Sequence, residues 1–391
     1  QLRETQGLDE ALVASLSEAC SVGQDIWERA KPSGDFAAWL PSLERVVELV
    51  RRKGEALGNM FGVSPYQALL GATEHNPGLH NETVSRLFSE LRQELPALIR
   101  QVQAHQAKET PPVALPDVPI EDQQRVARKV MEALGLDEHY SRLDISAHPF
   151  STGDWDDVRI TTRYREDNLL PALMGVIHET GHALYSRALP REWKGQPVGA
   201  AQSMWVHESQ SLFWENQIAS SREFMEFLAP LIRRELKVGG PAWTAENFYK
   251  LVTRVSPGFI RVDADEVTYP AHVILRHDIE QRLIDGSLLP KDLPRVWNQE
   301  MKEMLGIDVP NNTLGCMQDV HWPGGSFGYF PAYTFGAVGA AQLMQAMRRD
   351  LPSVSDDITR GHFIPIRDWL AENIHSKGAY YDGETLFKNA T

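Results

Sequence analysis

His178, Glu179 and His182 stand as His-Glu-x-x-His in the run Val176-Ile177-His178-Glu179-Thr180-Gly181-His182. Histidines four apart on a helix lie one turn above each other, so both imidazoles can face one point. That arrangement presents two nitrogen ligands to a single cation, with the glutamate projecting beside them. Zinc takes N and O ligands at about 2.0–2.2 Å in a roughly tetrahedral set, and a hydrolytic site keeps one position for water. A third protein ligand is therefore required. The metzincin pattern would need His where Ala188 stands and Gly where Tyr185 stands, which excludes that branch. In the other branch a glutamate from a following helix completes the set, and Glu208 in Met204-Trp205-Val206-His207-Glu208-Ser209-Gln210 suits that role. Zinc on His178, His182 and Glu208 would acidify its water and polarise a scissile carbonyl, while Glu179 takes the water proton and passes it to the leaving amine. The plain alternative is a polar helix face with two histidines, and a solvated glutamate at 208. The apolar setting of the motif, Gly181 and the second His-Glu pair weigh against it.

These residues need a helix to present them. One is expected over about Leu169 to Ala188, capped by Asp167 or Asn168, with Pro171 in the first turn where its missing N–H costs nothing. Leu173, Val176, Ile177, Leu184 and Ala188 form its core-facing stripe. Just before it the pattern changes: Ile145, His148 and Phe150, then Val158, Ile160, Thr162 and Tyr164, alternate on a period of two. A small β-hairpin or sheet near 144–165 is predicted, with Gly153 near its turn. The chain from Leu8 to Gln106 reads as helical, with Leu43, Val46, Val47 and Val50 as one stripe. The stretch Glu109 to Pro119 holds four prolines and reads as a linker marking a lobe boundary. From Asn168 on the chain is again mostly helical, broken by Gly-rich loops at Gly195 to Gly199 and Gly315 to Gly328.

The expected fold class is all-α, with that small β element, over 1–391 as a single domain or two lobes about a cleft. Net charge is −14, which opposes a phosphate-backbone partner, so no nucleic acid is expected. Two cysteines, Cys20 and Cys316, give no disulfide framework and fit a reducing cytoplasm. No apolar run reaches membrane-spanning length, so no membrane partner is expected and the localisation read is cytoplasmic.

Beyond His-Glu-x-x-His, the chain carries His148-Pro149-Phe150, Asp157-Val158-Arg159-Ile160-Thr161, His207-Glu208-Ser209-Gln210, Ile260-Arg261-Val262-Asp263-Ala264-Asp265 and Gly315-Cys316-Met317-Gln318-Asp319-Val320-His321-Trp322, in that order. In this it resembles the carboxypeptidase Taq family of metallocarboxypeptidases. The resemblance implies a neurolysin-like saddle with a deep active-site groove, release of single residues from peptides with a free carboxyl end, one divalent ion (zinc, or cobalt), and a homodimer. Members normally carry a further helical segment ahead of the point where this sequence starts, a segment that helps wall the groove, so that front segment is expected to be absent.

Within the family motifs, Arg159 and Arg261 are candidates for reading the terminal carboxylate, since a guanidinium is permanently charged and two-pronged. The alternative for each is a structural ion pair, Arg159 with Asp157 and Arg261 with Asp263 or Asp265. His321 with Tyr333 resembles the His and Tyr pair that stabilises the oxyanion in neurolysin-like enzymes, and Tyr329 is a further substrate-binding candidate or a packing residue. Asp263 or Asp265 would either orient a metal-bound histidine or cap the helix that follows. An oligopeptidase or endopeptidase on the same scaffold, or a catalytically silent helical binding protein, are the competing readings.

Overall fold

The computed structural model describes residues 7–71, 76–146 and 149–391, so His148 lies outside the described residues. The described residues are mainly helical, with one three-stranded sheet among them. The chain divides into two compact units, one from 1–109 with 255–334 and the other from 110–254 with 335–391. The first crossing falls at the start of the proline-rich stretch read as a linker. The other two crossings carry no comparable composition signal, and the last of them lies inside a helix.

The first unit holds α1 (Glu10–Ala30), α2 (Phe36–Phe61), α3 (Pro65–Gly71) and α4 (Asn81–Gln106). The second contributes α5 (Ile120–Leu134), β1 (Ser141–Ile145), β2 (Ser151–Asp154), β3 (Asp157–Thr162), α6 (Leu169–Arg187), α7 (Met204–Leu212), a π-helical segment Phe213–Ala219, α8 (Arg222–Leu236) and α9 (Ala245–Val252). The chain then returns to the first unit with α10 (Tyr269–Asp285), α11 (Leu293–Leu305) and the long loop before α12 (Pro331–Asp350). From within α12 it re-enters the second unit, ending with α13 (Val354–Arg360), α14 (Ile364–Asn373) and α15 (Gly383–Ala390).

In the first unit α2 shows how its helices are made. Asp35 accepts from the Ala38 N–H at the start, Gly62 takes the left-handed conformation at the end, and Leu43, Val46, Val47 and Val50 are buried as the expected stripe. Each such side chain contributes about 1.5–3 kcal/mol by leaving water. At the centre lies α10, buried on most of its faces, including the polar residues His272, Arg276, His277 and Glu280.

In the second unit the predicted β element is a sheet of order β1-β3-β2, with β1 parallel and β2 antiparallel to β3. Gly153, at φ 104°, adjoins the β2–β3 turn, where a Cβ would lie 2.0 Å from the Asp157 carbonyl oxygen. The helix expected over 169–188 is α6, and it packs against β3, β2, α5 and α7. Asn168 occupies its N-cap position without a side-chain capping bond, while Asp167 pairs with Arg165 instead. The stripe is wider than expected, because Ala172, Thr180, Ala183 and Tyr185 are buried as well as Leu173, Val176, Ile177 and Leu184, while Ala188 stands just past the helix end and is half-buried. A helix buried on most sides is the core of its unit rather than a surface element.

Candidate metal centre and active-site residues

Two helices build the centre in the second unit. α6 carries His178, Glu179 and His182, and α7 carries Glu208 after Ser203 caps its start through the Val206 N–H. The two cross where Gly181 has no side chain: a Cβ there would lie 2.7 Å from the Gln210 carbonyl oxygen and 2.7 Å from Ser211 Cα. From the other side α12 presses on α7 at Gly336, where a Cβ would come within 2.6 Å of Glu208 Cβ and 3.0 Å of its carbonyl carbon. Glycine at both positions sets the depth at which Glu208 stands opposite the histidines.

The resulting donors converge. Glu208 Oε2 lies 3.7 Å from His178 Nε2 and 3.8 Å from His182 Nε2, and one ligand atom from each of the three residues falls within 4.8 Å of the others. Ligands at about 2.1 Å in a tetrahedron are about 3.4 Å apart, so this spacing fits a zinc-sized cation after a small contraction. The chemistry of the set fits too. Glu208 and Glu179 are 4% and 6% exposed, and carboxylates so buried are paired or bind a cation. Burial pushes the Glu179 carboxyl up to about 7, with the His178 charge opposing and Glu208 and Glu215 adding to the rise.

The far nitrogens of both imidazoles are also held. His178 Nδ1 is 2.7 Å from Glu215 Oε2, and His182 Nδ1 is 2.6 Å from His207 Nδ1. A proton on Nδ1 of each ring, donated to those partners, leaves each Nε2 lone pair facing Glu208. Glu215 stands in the π-helical segment, a backbone form that recurs at functional sites. Neither partner had been assigned a role from sequence. The available signal was that Glu215 follows Glu208 by two helical turns and so shares its face.

The remaining candidates fall in two places. Arg159, on β3, is exposed and pairs with Asp157 at 2.9 Å, the ion pair weighed against its substrate role. Arg261, His321, Tyr329 and Tyr333 gather in the first unit. His321 Nε2 is 3.5 Å from Tyr333 Oη, the Tyr329 ring centroid is 5.4 Å from that of His321, and the Arg261 guanidinium lies 4.9 Å from the Tyr333 ring centre. Arg261 is 4% exposed and is ion-paired, but with Asp319 at 2.9 Å rather than with its neighbours Asp263 or Asp265. Its third donor group meets Tyr269 Oη at 2.5 Å. Asp319 is shared with Arg276 at 2.6 Å, so two guanidiniums face one carboxylate. Burial alone would raise the Asp319 carboxyl, yet Arg261 and Arg276 hold it far below the usual carboxylate range. Asp265 accepts from Val267 N, Thr268 N and Thr268 Oγ1 in the turn just ahead of α10, whose N-cap position is held by Thr268 with no side-chain capping bond.

The whole chain, residues 1–391, matches the family model described as Carboxypeptidase Taq (M32) metallopeptidase. The chain belongs to that family. It is 38% identical over 397 residues to thermostable carboxypeptidase 1 of Thermus thermophilus, covering 99% of this chain and 77% of that one. With carboxypeptidase 1 of Bacillus subtilis it shares 36% identity, over 100% of this chain and 77% of the other. Among solved structures, Trypanosoma cruzi metallocarboxypeptidase 1 superimposes with a TM-score of 0.95 at 41% identity, over 98% of this chain and 77% of that one. A putative oligoendopeptidase F shares the fold alone, with a TM-score of 0.60 at 13% identity. As a member of this family the protein is a metallocarboxypeptidase, a peptide hydrolase that works with a divalent metal ion. No helix of the described residues is long and apolar enough to cross a membrane.

Proposed function

We propose that this metallocarboxypeptidase releases single residues from the free carboxyl end of peptides, with His178, His182 and Glu208 holding zinc and Glu179 as the general base. The observation that carries the reading is the buried convergence of two imidazole nitrogens on one carboxylate oxygen at 3.7–3.8 Å, with a second carboxyl group, Glu179, beside them. A divalent ion held there supplies Lewis acidity to a carbonyl oxygen and makes a water more acidic. Glu215 and His207 keep the two rings in register by accepting their Nδ1 protons, so Nε2 is the free nitrogen of each. Glu179 accepts the proton of the attacking water on its carboxylate and delivers it to the leaving amine, as its place between the two histidines favours. His321 and Tyr333 are assigned as donors to the oxyanion on the strength of the family resemblance, and their side chains lie side by side, with His321 Nε2 3.5 Å from Tyr333 Oη.

For the terminal carboxylate we assign Arg261, with Tyr329 as a substrate contact. Two buried guanidiniums against one carboxylate make a setting that favours a second anion. Arg159 is assigned as an accessory clamp residue, whose exposed guanidinium would exchange its pairing with Asp157 for the substrate carboxylate. A homodimer and a cytoplasmic location complete the proposal, the latter supported by the free thiols of Cys20 and Cys316. The deciding experiment is digestion of matched peptides with free and amidated carboxyl ends, read by mass spectrometry, before and after chelation and zinc or cobalt return. Stepwise loss of single residues from free ends, abolished by chelation and restored by the ion, is expected. Equal cleavage of both peptides at internal bonds would replace the carboxypeptidase reading with an endopeptidase one.

A further inference from the structure

The loop Gly315–Phe330 carries His321 and Tyr329, and its own short bonds, such as Ser326 N to the His321 carbonyl at 2.8 Å, only shape it locally. Bonds from α1, such as Trp27 Nε1 to the Met317 carbonyl at 2.9 Å, help tie it to its unit, and so does a polar row along one face of α10. His272, Arg276 and Glu280 follow each other at one-turn spacing, and all three are fully buried. Arg276 engages Asp319 and the Gln318 side-chain oxygen. One turn on, Glu280 Oε1 accepts from the Trp322 indole N–H at 2.9 Å, and Oε2 accepts from the Gly328 backbone N–H at 2.9 Å and Tyr66 Oη at 3.1 Å. Trp322 directly follows His321, and Gly328 directly precedes Tyr329. One carboxylate therefore grips both ends of the segment between these two residues.

Tyr66 Oη, which bonds Glu280, also lies 3.0 Å from His277 Nδ1, and His277 Nε2 is 3.0 Å from the Gln281 side-chain amide. Trp322 and Gly328 can only donate, so both Glu280 oxygens must accept, and an amide in its place would turn N–H against N–H. Gly328 has one seat: at φ 79° it lies so close to α3 that a Cβ would be 2.8 Å from the Leu69 carbonyl carbon. Burial pushes the Glu280 carboxyl up to about 7, against the pull of these three hydrogen bonds and of Arg276.

We infer that Glu280 is a positioning residue of the hydrolytic reaction, holding His321 in working register through Trp322 and, at the far end of the same segment, Gly328. The inference rests on the reading of His321 as a donor to the reacting carbonyl. Its test is a double-mutant cycle on the full chain, Glu280→Gln, His321→Ala and the pair, with metal content and Tm measured for each. Misplacement of a reacting group costs on the order of 10–100-fold in rate, so Glu280→Gln should lower kcat by about that factor with KM within about twofold and metal unchanged. In the His321→Ala background the same change should cost less than about twofold, because the group it positions is gone. Wild-type kcat in His321→Ala would end the reading of His321 and with it this inference. If His321→Ala is impaired while the two losses simply multiply, or Glu280→Gln keeps wild-type kcat, Glu280 itself has no positioning role. Should Glu280→Gln fail to fold, Trp322→Phe removes one donor and keeps the ring, and its kcat loss of about 3–10-fold must likewise vanish without His321; a loss that persists there overturns the inference.

Discussion

His178 Nδ1 lies 2.7 Å from Glu215 Oε2, and Glu215 stands in the π-helical turn that directly continues the helix carrying Glu208. One stretch of chain thus supplies both a proposed ligand and the group that orients another. Glu215→Ala is expected to weaken zinc binding by about 10–100-fold, the usual cost of removing an outer partner from a ligating histidine. Competition with a chelator of known affinity measures it, and unchanged affinity would mean that His178 is oriented by packing alone.

Glu179→Gln should keep its metal and lose turnover, by on the order of 10²–10⁴-fold, because the acceptor is removed while all three proposed ligands remain. Metal analysis alongside kcat checks both halves. Metal-loaded protein with near wild-type kcat would remove Glu179 from the base role.

Gly336→Ala tests how the third ligand is placed. The new methyl would meet Glu208 Cβ at 2.6 Å and its carbonyl carbon at 3.0 Å, so α7 or α12 must move. Overpacking of this kind costs about 1–3 kcal/mol, and here it also displaces Glu208. Lower metal affinity together with lower Tm is expected. A drop in Tm with intact affinity would show that the strain is relieved on the α12 side.

If Arg261 reads the substrate end, amidating a peptide removes a charge-assisted pair worth about 2–5 kcal/mol, and amidated peptides should hardly be cut. Arg261→Ala should lower kcat/KM for free-end peptides and shrink their advantage over amidated ones. Activity lost with the advantage intact would make Arg261 the structural partner of Asp319.

Acid should unfold the protein from an unusually high pH. His272 and His277 are fully buried; burial first, and for His272 the charges of Arg276 and Arg261, push each imidazole down to about 3. The unfolded chain binds a proton at each site near pH 6.5 while the folded chain does not, so stability is lost as pH falls from about 6.5 toward 3. Denaturation midpoints against pH measure this. His272→Leu should flatten the slope in that window, and a slope unchanged by the substitution would exclude His272 as a source.

The sequence by itself determined the helical class, the β element before the motif helix, and the candidate ligands His178, His182 and Glu208. Those features are written in local periods: four-residue spacing on a helix, alternation on a strand, and Pro and Gly at the ends. Tertiary structure alone decided which distant groups complete them. Glu215 reaches His178 because α6 and α7 cross at Gly181, and Asp319 rather than Asp263 or Asp265 meets Arg261 because the loop after α11 folds back on α10. The buried Arg276 and Glu280 of α10 carry no local signal of their partners, since Asp319, Trp322 and Gly328 lie far along the chain. A buried charge must find its counterpart wherever packing brings one, and no local pattern encodes that choice.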